Sequence, residues 1–291
     1  MAEVEATRRG GSIRELRKRR LFAVLPSLLT LGNAVCGFGA ITYAAKLGPE
    51  FASKEDLYTA ALLIFGAMVC DALDGPLARF SRQTSDFGAQ LDSLCDAISF
   101  GVAPAFLMLK SSFDHVFHPR ILWVIAVLYM LCAILRLARF NVSKQSNPDH
   151  EHFSGLPSPA AAGMVASLVV IAPGLTKWSG PEVSDAMQQM GDWIKWITTF
   201  SLPLVTLSVA CLMVSRIRYP HLFNQLFRGR RSFRHLVQLI FALVAVFLVH
   251  ELAIPLILFY YVLSGPLKAI AGRFPRLSGS QLASDRSEVR R

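Results

Sequence analysis

The chain has 291 residues, of which 53% are hydrophobic and 17% are charged, and its mean hydropathy is positive. This balance excludes a purely soluble globular protein and is typical of an integral membrane protein. The formal net charge is +10. Since no basic patch interleaved with aromatic residues marks a soluble domain, this charge indicates contact with anionic lipids and an anionic substrate, and not with nucleic acid.

The N-terminal segment, residues 1–20, is polar and carries seven basic residues. An S-x-x-E capping pattern at Ser12 and Glu15 predicts a short amphipathic helix on the cytoplasmic membrane surface. A disordered basic tail is the alternative for residues 1–10. Residues 21–266 form the predicted transmembrane domain, and residues 267–291 are predicted to be a basic, disordered cytoplasmic tail.

Eight apolar runs predict an all-α bundle of about eight transmembrane helices, most of them near the length that crosses a bilayer. The runs cover about residues 21–45, 57–80, 87–109, 120–138, 156–174, 194–214, 234–250 and 252–266. A minimal turn at His250-Glu251 is predicted between the last two, which could instead form one re-entrant hairpin. With the N-terminus inside, 24 of the 30 lysines and arginines lie on the cytoplasmic side, which favours eight spans with both termini in the cytoplasm.

The strongest functional signal is a group of four aspartates in the second and third runs. The stretch has the pattern D-x-x-D-G-x-x-A-R-x8-G-x3-D-x3-D, with fixed positions Asp71, Asp74, Gly75, Ala78, Arg79, Gly88, Asp92 and Asp96. Carboxylates in hydrocarbon are costly, so such a cluster marks a functional site. The spacing places the acids on one face of each of two helices joined by a short turn. Four acids with no histidine or cysteine favour Mg²⁺ or Mn²⁺ over zinc.

Two polar residues of the first run, Thr30 and Asn33, share a helix face. Their spacing leaves two interpretations equally open: contact with a nucleotide or lipid head group, or a hydrogen bond between helices. Ser99 lies one turn after Asp96 and could line the site. Pro104 is predicted to kink the third helix.

Arg136 and Arg139 lie at positions i and i+3 where the fourth run returns to the cytoplasm. The commoner explanation of such a pair is that both arginine side chains extend to the membrane interface and keep their charged groups in water. Near a metal-carboxylate site, however, the pair favours a clamp for a phosphate or carboxylate. Ser158 and the free amides at the start of the fifth run could also hold an anion, with an ordinary helix start as the alternative.

The aspartate stretch resembles the motif of the CDP-alcohol phosphatidyltransferases and fills all eight of its fixed positions. This resemblance implies transfer of a phosphatidyl group from a CDP-linked lipid to an alcohol with release of CMP, in a homodimer. It further implies that Asp71, Asp74 and Asp92 bind two metal ions, and that Asp96 binds metal or acts as the base. The residues predicted to hold the CDP group are Gly75, Ala78, Arg79, Gly88, Thr30 and Asn33.

The flanking strings at residues 99–105, 136–141 and 155–160 are similar to those of membrane-embedded phosphatidylserine synthases. The resemblance then runs over roughly residues 20–165 and implies CDP-diacylglycerol and L-serine as substrates, with direct displacement and Asp96 as the base. The predicted acceptor contacts are Arg136, Arg139, Ser99 and Ser158. Two alternatives stay open: another acceptor, such as glycerol phosphate or inositol phosphate, or a cation-coupled transporter that uses the aspartates as ion ligands.

Overall fold

The computed structural model describes residues 27–46, 53–80, 86–112, 117–146, 155–176, 185–217, 219 and 250–271. Every regular element in these ranges is helical, which confirms the all-α prediction for the described part of the chain. The helices are α1 (Ser27–Ala44), α2 (Lys54–Phe80), α3 (Asp86–Asp96), α4 (Ala103–Ser111), α5 (Pro119–Ser146), α6 (Ser158–Thr176), α7 (Asp185–Val214) and α8 (His250–Ala271). A π-helical turn, Ala97–Val102, connects α3 to α4.

Four helical stretches are long and apolar enough to cross a membrane, as expected for an integral membrane protein. They are Ser27–Ala44, Glu55–Gly75, Phe87–Ser111 and Pro119–Ser143. Two shorter apolar helices are Ser158–Ile171 and Phe200–Val214. The total of eight spans stays a prediction.

Three predicted segments fall wholly or largely outside the described residues: the N-terminal surface helix, most of the run at 234–250 and most of the C-terminal tail. Helix α8 begins at His250, so both residues of the predicted turn at His250-Glu251 lie in its first turn. The residues directly before His250 lie outside the described part of the chain, and the turn stays a prediction. Neither residue is a helix breaker, and an acid in a first helical turn is favourable. Helix α8 also continues to Ala271, so the predicted tail boundary at 267 lies inside a helix.

Helix α6 is the central element of the bundle. It packs against α2, α7 and α8, and its residues 161–170 are all buried except Leu168. Small residues such as Ala161, Ala162 and Gly163 let neighbouring helices approach closely. Because α6 is enclosed, the position of its first residue, Ser158, is set by packing on several sides.

The π-helical turn between α3 and α4 has a local cause in Pro104. Proline has no N–H, and its ring clashes with the carbonyl four residues earlier, here that of Phe100. The turn widens, and the Ala103 N–H donates to the Ile98 carbonyl, five residues back. The buried Tyr129 hydroxyl of α5 donates to the Phe100 carbonyl at 3.2 Å. The kink predicted at Pro104 is therefore observed as a local change from α-helix to π-helix just before the proline.

The segment before α6 is anchored to the end of α7. The Gly155 N–H donates to the Ile217 carbonyl at 2.8 Å, and the Leu156 N–H donates to the Leu212 carbonyl at 3.0 Å. Gly155 has φ +96°, and a Cβ at this position would collide with the Met213 carbonyl. Only glycine suits this conformation and this close approach. The anchor places the start of α6 beside the ends of α5 and α7.

Candidate active site

The polar residues of the motif and its predicted partners gather at one end of the bundle. This end is built from the start of α1, the last turns of α2, the short helix α3, the end of α5 and the start of α6. Successive helices run in opposite directions. The polar residues near the start of one helix and near the end of the next therefore lie at the same end of the bundle. The opposite end of α1 and α2 carries a separate ion pair, in which Lys46 Nζ lies 2.7 Å from Asp56 Oδ1.

Three of the four motif aspartates form one acidic cluster. Asp71, Asp74 and Asp92 each offer a carboxylate oxygen, and these oxygens lie within 4.8 Å of one another. Asp74 is buried, and the other two are half-buried. Like charges this close, largely shielded from water, favour a bound cation. The all-oxygen donor set fits Mg²⁺ or Mn²⁺, so the residues present suit the predicted metal.

Helix α1 supplies hydrogen bonds to two of the aspartates. Thr30 Oγ1 donates to Asp74 Oδ2 at 3.2 Å. Asn33 Nδ2 donates to Asp96 Oδ1 at 2.9 Å. Of the two interpretations of Thr30 and Asn33, the bond between helices is therefore present. Their predicted contact with CDP stays a prediction.

Asp96, like Asp74, accepts a hydrogen bond from α1. It lies one turn after Asp92 on α3 and is half-buried beside Asn33. Ser99, in the π-helical turn, donates its hydroxyl to the backbone carbonyl of Asn33 at 2.9 Å. The predicted acceptor contact Ser99 thus bonds to α1, and its role toward an acceptor is untested.

The structure describes the other four motif residues, Gly75, Ala78, Arg79 and Gly88, to different extents. Among the described residues, a Cβ added at Gly75 would meet nothing within 4 Å, so this part of the structure leaves open space beside the acidic cluster. Gly88 is half-buried in the first turn of α3. The side chains of Ala78 and Arg79, in the last turn of α2, lie outside what the structure describes. The CDP contacts predicted for these four residues stay predictions.

The two arginines of α5 go to different partners. Arg136 Nη1 donates to Ser158 Oγ at 2.8 Å, and Ser158 is fully buried at the start of α6. Arg136 also lies within electrostatic range of Asp96 and Asp71. In contrast, Arg139 Nη1 donates to the Val214 carbonyl at 3.2 Å, where a cation stabilises the end of α7.

Sequence reasoning missed Tyr261, which α8 brings to the site. It is buried and within electrostatic range of Arg136. The Tyr219 ring packs 5.7 Å from it, centroid to centroid, and the Tyr219 hydroxyl donates to the Val262 carbonyl at 3.1 Å. Burial raises the pKa of Tyr219 to about 12, so this hydroxyl stays protonated as a donor. No local pattern marks a single tyrosine in an apolar helix.

A second missed contact joins α3 to α5. Asn141 Nδ2 donates to Ser93 Oγ at 2.9 Å, and the Ser93 hydroxyl is also within bonding distance of the Ala89 carbonyl. Ser93 follows Asp92 directly, so this bond ties the acidic cluster's third member to the arginine-bearing helix. The position of Ser93 within the motif, directly after Asp92, was the one sequence feature that could have indicated this contact.

Several bacterial and archaeal proteins are similar to this chain. The CDP-diacylglycerol–serine O-phosphatidyltransferase of Mycobacterium bovis is 35% identical over 152 residues, covering 51% of this chain and 49% of that protein. The enzyme of the same name from Bacillus subtilis is 30% identical over 197 residues, covering 68% and 90%. The archaetidylserine synthase of Methanothermobacter thermautotrophicus is 31% identical over 206 residues, covering 70% and 72%. The matched region spans about half the length of the mycobacterial relative.

A family model gives the broader assignment. The model of the CDP-alcohol phosphatidyltransferase family matches residues 23–201, which is more than half of the chain. The match includes the whole aspartate motif, both arginines of α5 and the start of α6. It ends within α7, so Tyr219 and Tyr261 lie beyond it. On this match, together with the acidic cluster, the chain belongs to the CDP-alcohol phosphatidyltransferase family.

Proposed function

We propose that this protein transfers the phosphatidyl group of CDP-diacylglycerol to the hydroxyl of L-serine, giving phosphatidylserine and CMP. The acidic cluster beside open space at Gly75 carries this proposal, because a pyrophosphate substrate needs cations and room. The names of the bacterial relatives support serine as the acceptor.

The acidic cluster would hold the metal. Asp71, Asp74 and Asp92 would bind two Mg²⁺ or Mn²⁺ ions. When bound, the ions would neutralise charge on the pyrophosphate. Thr30, which donates to Asp74, would fix the orientation of that carboxylate.

Asp96 would act as the general base. Its Oδ1 accepts a hydrogen bond from Asn33, which leaves Oδ2 to take the proton of the serine hydroxyl. The serine oxygen then forms a bond to the phosphorus of the phosphatidyl group, and the bond from that phosphorus to the CMP oxygen breaks. Direct displacement is preferred because the motif offers no nucleophile besides carboxylates assigned to metal or proton transfer.

Arg136 and Ser158 would bind the carboxylate of serine. One guanidinium nitrogen is already bonded to Ser158, which fixes the side chain and leaves other N–H groups for a carboxylate. Arg136 interacts electrostatically with Asp96, and an acceptor would place its carboxylate at the first residue and its hydroxyl at the second.

The active site would face the cytoplasm, where serine and CDP-lipids are available. The placement of 24 of the 30 basic residues on that side supports this orientation. Family resemblance further supports a homodimer surrounded by membrane lipids. Nucleic acid is not an expected partner.

The test follows CMP release by purified protein with CDP-diacylglycerol and Mn²⁺ or Mg²⁺. Serine, glycerol phosphate and inositol phosphate are offered separately, and Asp96→Asn is compared with Asp56→Asn, a matched change at the opposite end of α2. We expect release with serine, lost only in Asp96→Asn. Release with another acceptor would replace serine and retain the chemistry, whereas no release with any acceptor would favour the transporter alternative.

One observation favours a second lipid substrate. The similarity to an archaetidylserine synthase implies that an ether-linked CDP-lipid is a reasonable donor. Parallel assays with ester- and ether-linked CDP-lipids, each with serine, would separate the two donors by their kcat/KM values.

A further inference from the structure

We propose that Asn33 and Ser99 are positioning residues that hold the Asp96 carboxylate, and that neither contacts CDP or serine. The inference rests on the proposed function insofar as Asp96 is the base. It differs from the roles that the sequence suggested, which assigned Asn33 to CDP and Ser99 to the acceptor. We call the contact formed by Asn33, Ser99 and Asp96 the α1 clamp.

The α1 clamp consists of two hydrogen bonds in parallel. The Asn33 side-chain amide donates to Asp96 at 2.9 Å, and the Asn33 backbone carbonyl accepts from Ser99 at 2.9 Å. Both partners lie on the same segment, three residues apart. One residue of α1 is therefore held at two points, which fixes both the position of its backbone and the direction of its amide.

Burial argues against substrate contact by these two side chains. Asn33 and Ser99 are each 0% exposed, whereas Asp96 is half-buried. A ligand could therefore reach the carboxylate but would have to separate helices to reach either neighbour. Buried side chains that donate to a site carboxylate, as Asn33 does, or to the backbone of a facing helix, as Ser99 does, are expected to orient a site and not to bind its ligand.

Close backbone contact makes the clamp rigid. A Cβ at Gly37, one turn after Asn33, would lie 2.7 Å from Ser99 Cα, so only glycine permits this approach. On the other side of the π-helical turn, Tyr129 bonds to the carbonyl of Phe100. Ser99 is thus held between α1 and α5, and a π turn in this position is frequently functional.

The experiment separates positioning from substrate contact by kinetics. Asn33→Ala, Ser99→Ala and the double variant are compared with wild type. Ser167→Ala is the matched control, because Ser167 is also 0% exposed but donates within its own helix to Met164. A misplaced base lowers kcat, since an approximately 1 Å error can cost about a hundredfold, while substrate affinity is preserved.

We expect kcat for CMP release to fall about 10- to 100-fold in each single variant, with both KM values within about threefold of wild type. The double variant should be no worse than Asn33→Ala, because both changes break one unit. Ser99→Thr, which keeps the hydroxyl, should recover activity. A raised KM for CDP-diacylglycerol in Asn33→Ala, or for serine in Ser99→Ala, with kcat unchanged, would overturn the proposal.

Two further measurements test the α1 clamp even if the proposed function is wrong. If wild type uses an acceptor other than serine, the same comparison is made with that acceptor. The thermal unfolding temperatures of the single and double variants provide a test without turnover. Shifts that simply add would contradict a shared clamp, and shifts that do not add would support it even in an inactive preparation.

Discussion

One motif supplies two kinds of carboxylate site in this protein. The acidic cluster joins Asp71, Asp74 and Asp92 from two helices, with their oxygens within 4.8 Å. Asp96, one turn beyond Asp92, lies outside this group and accepts a hydrogen bond from the Asn33 amide of α1, as Asp74 accepts one from Thr30. Two ionised carboxylates at the cluster's spacing repel by about 3 to 4 kcal/mol at an effective dielectric of 20.

We propose that the cluster and Asp96 have different roles. A cluster of mutually repelling acids is suited to recruit cations, which remove the repulsion. Asp96, which lies outside the cluster and is oriented by Asn33, would act on a substrate in a defined direction. The predictions that follow test this division, from the largest expected effect to the smallest.

Loss of a charge from the acidic cluster should have the largest effect. In Asp71→Asn or Asp92→Asn, we expect CMP release to fall by about a thousandfold or more, since metal ions contribute several kcal/mol of charge stabilisation. Mn²⁺ titration followed by electron paramagnetic resonance should show weakened binding. Removal of metal by a chelator should reproduce the loss in wild type. Undiminished Mn²⁺ affinity in both variants would contradict the cluster's assignment.

Asp96→Asn should separate loss of the general base from loss of metal binding. The amide can still accept a bond from Asn33 but cannot take a proton, so we expect about a 10²- to 10⁴-fold fall in kcat. Mn²⁺ affinity should stay within about threefold of wild type. If it drops as far as in the cluster variants, Asp96 is a metal ligand like the other three, and the division between the two sites fails.

The arginines of α5 test how the acceptor reaches Asp96. Arg136→Ala should raise the KM for serine about 10- to 150-fold, because a hydrogen bond to a charged group contributes about 1.5 to 3 kcal/mol. Arg139→Ala should leave this KM within about threefold and lower thermal stability, since Arg139 bonds to the end of α7. Steady-state kinetics with varied serine decides between them. Unchanged KM in both variants would remove the arginines from the acceptor site.

The smallest effect is expected from Tyr129→Phe. Tyr129 lies on α5 and bonds to Phe100, the residue after Ser99 of the α1 clamp. This change removes the donor to the Phe100 carbonyl. Hydrogen bonds between membrane helices contribute about 0.6 kcal/mol on average and about 1.7 at most, so the apparent Tm should fall by only a few degrees. Tyr260→Phe, at an exposed position of α8, is the matched control. Equal Tm values for the two variants would show that the π-helical turn does not depend on this bond.

Much of the fold class and the core of the site could be predicted from the sequence. Helical periodicity alone places Asp71 with Asp74 and Asp92 with Asp96, because residues three and four apart share a face. A short connection then brings the two faces together. Apolar length predicts the spanning segments.

The partners of these acids could not be predicted in the same way. Thr30 and Asp74 are 44 residues apart, and Asn33 and Asp96 are 63 apart, so packing decides which donor meets which acid. Arg136 and Arg139 have equivalent spacing in sequence, yet rotation of α5 directs one to Ser158 and the other to α7. That rotation depends on every helix in contact with α5.

The sequence by itself thus determined an all-helical membrane protein with a carboxylate metal motif, since hydrophobic length and helical period are local properties. Only the tertiary structure decided that α1 supplies the hydrogen-bond donors of Asp74 and Asp96. The physical reason is that hydrogen bonds between helices require a definite register. Here that register is set by glycine at position 37, by the π-helical turn before Pro104 and by the enclosed position of α6.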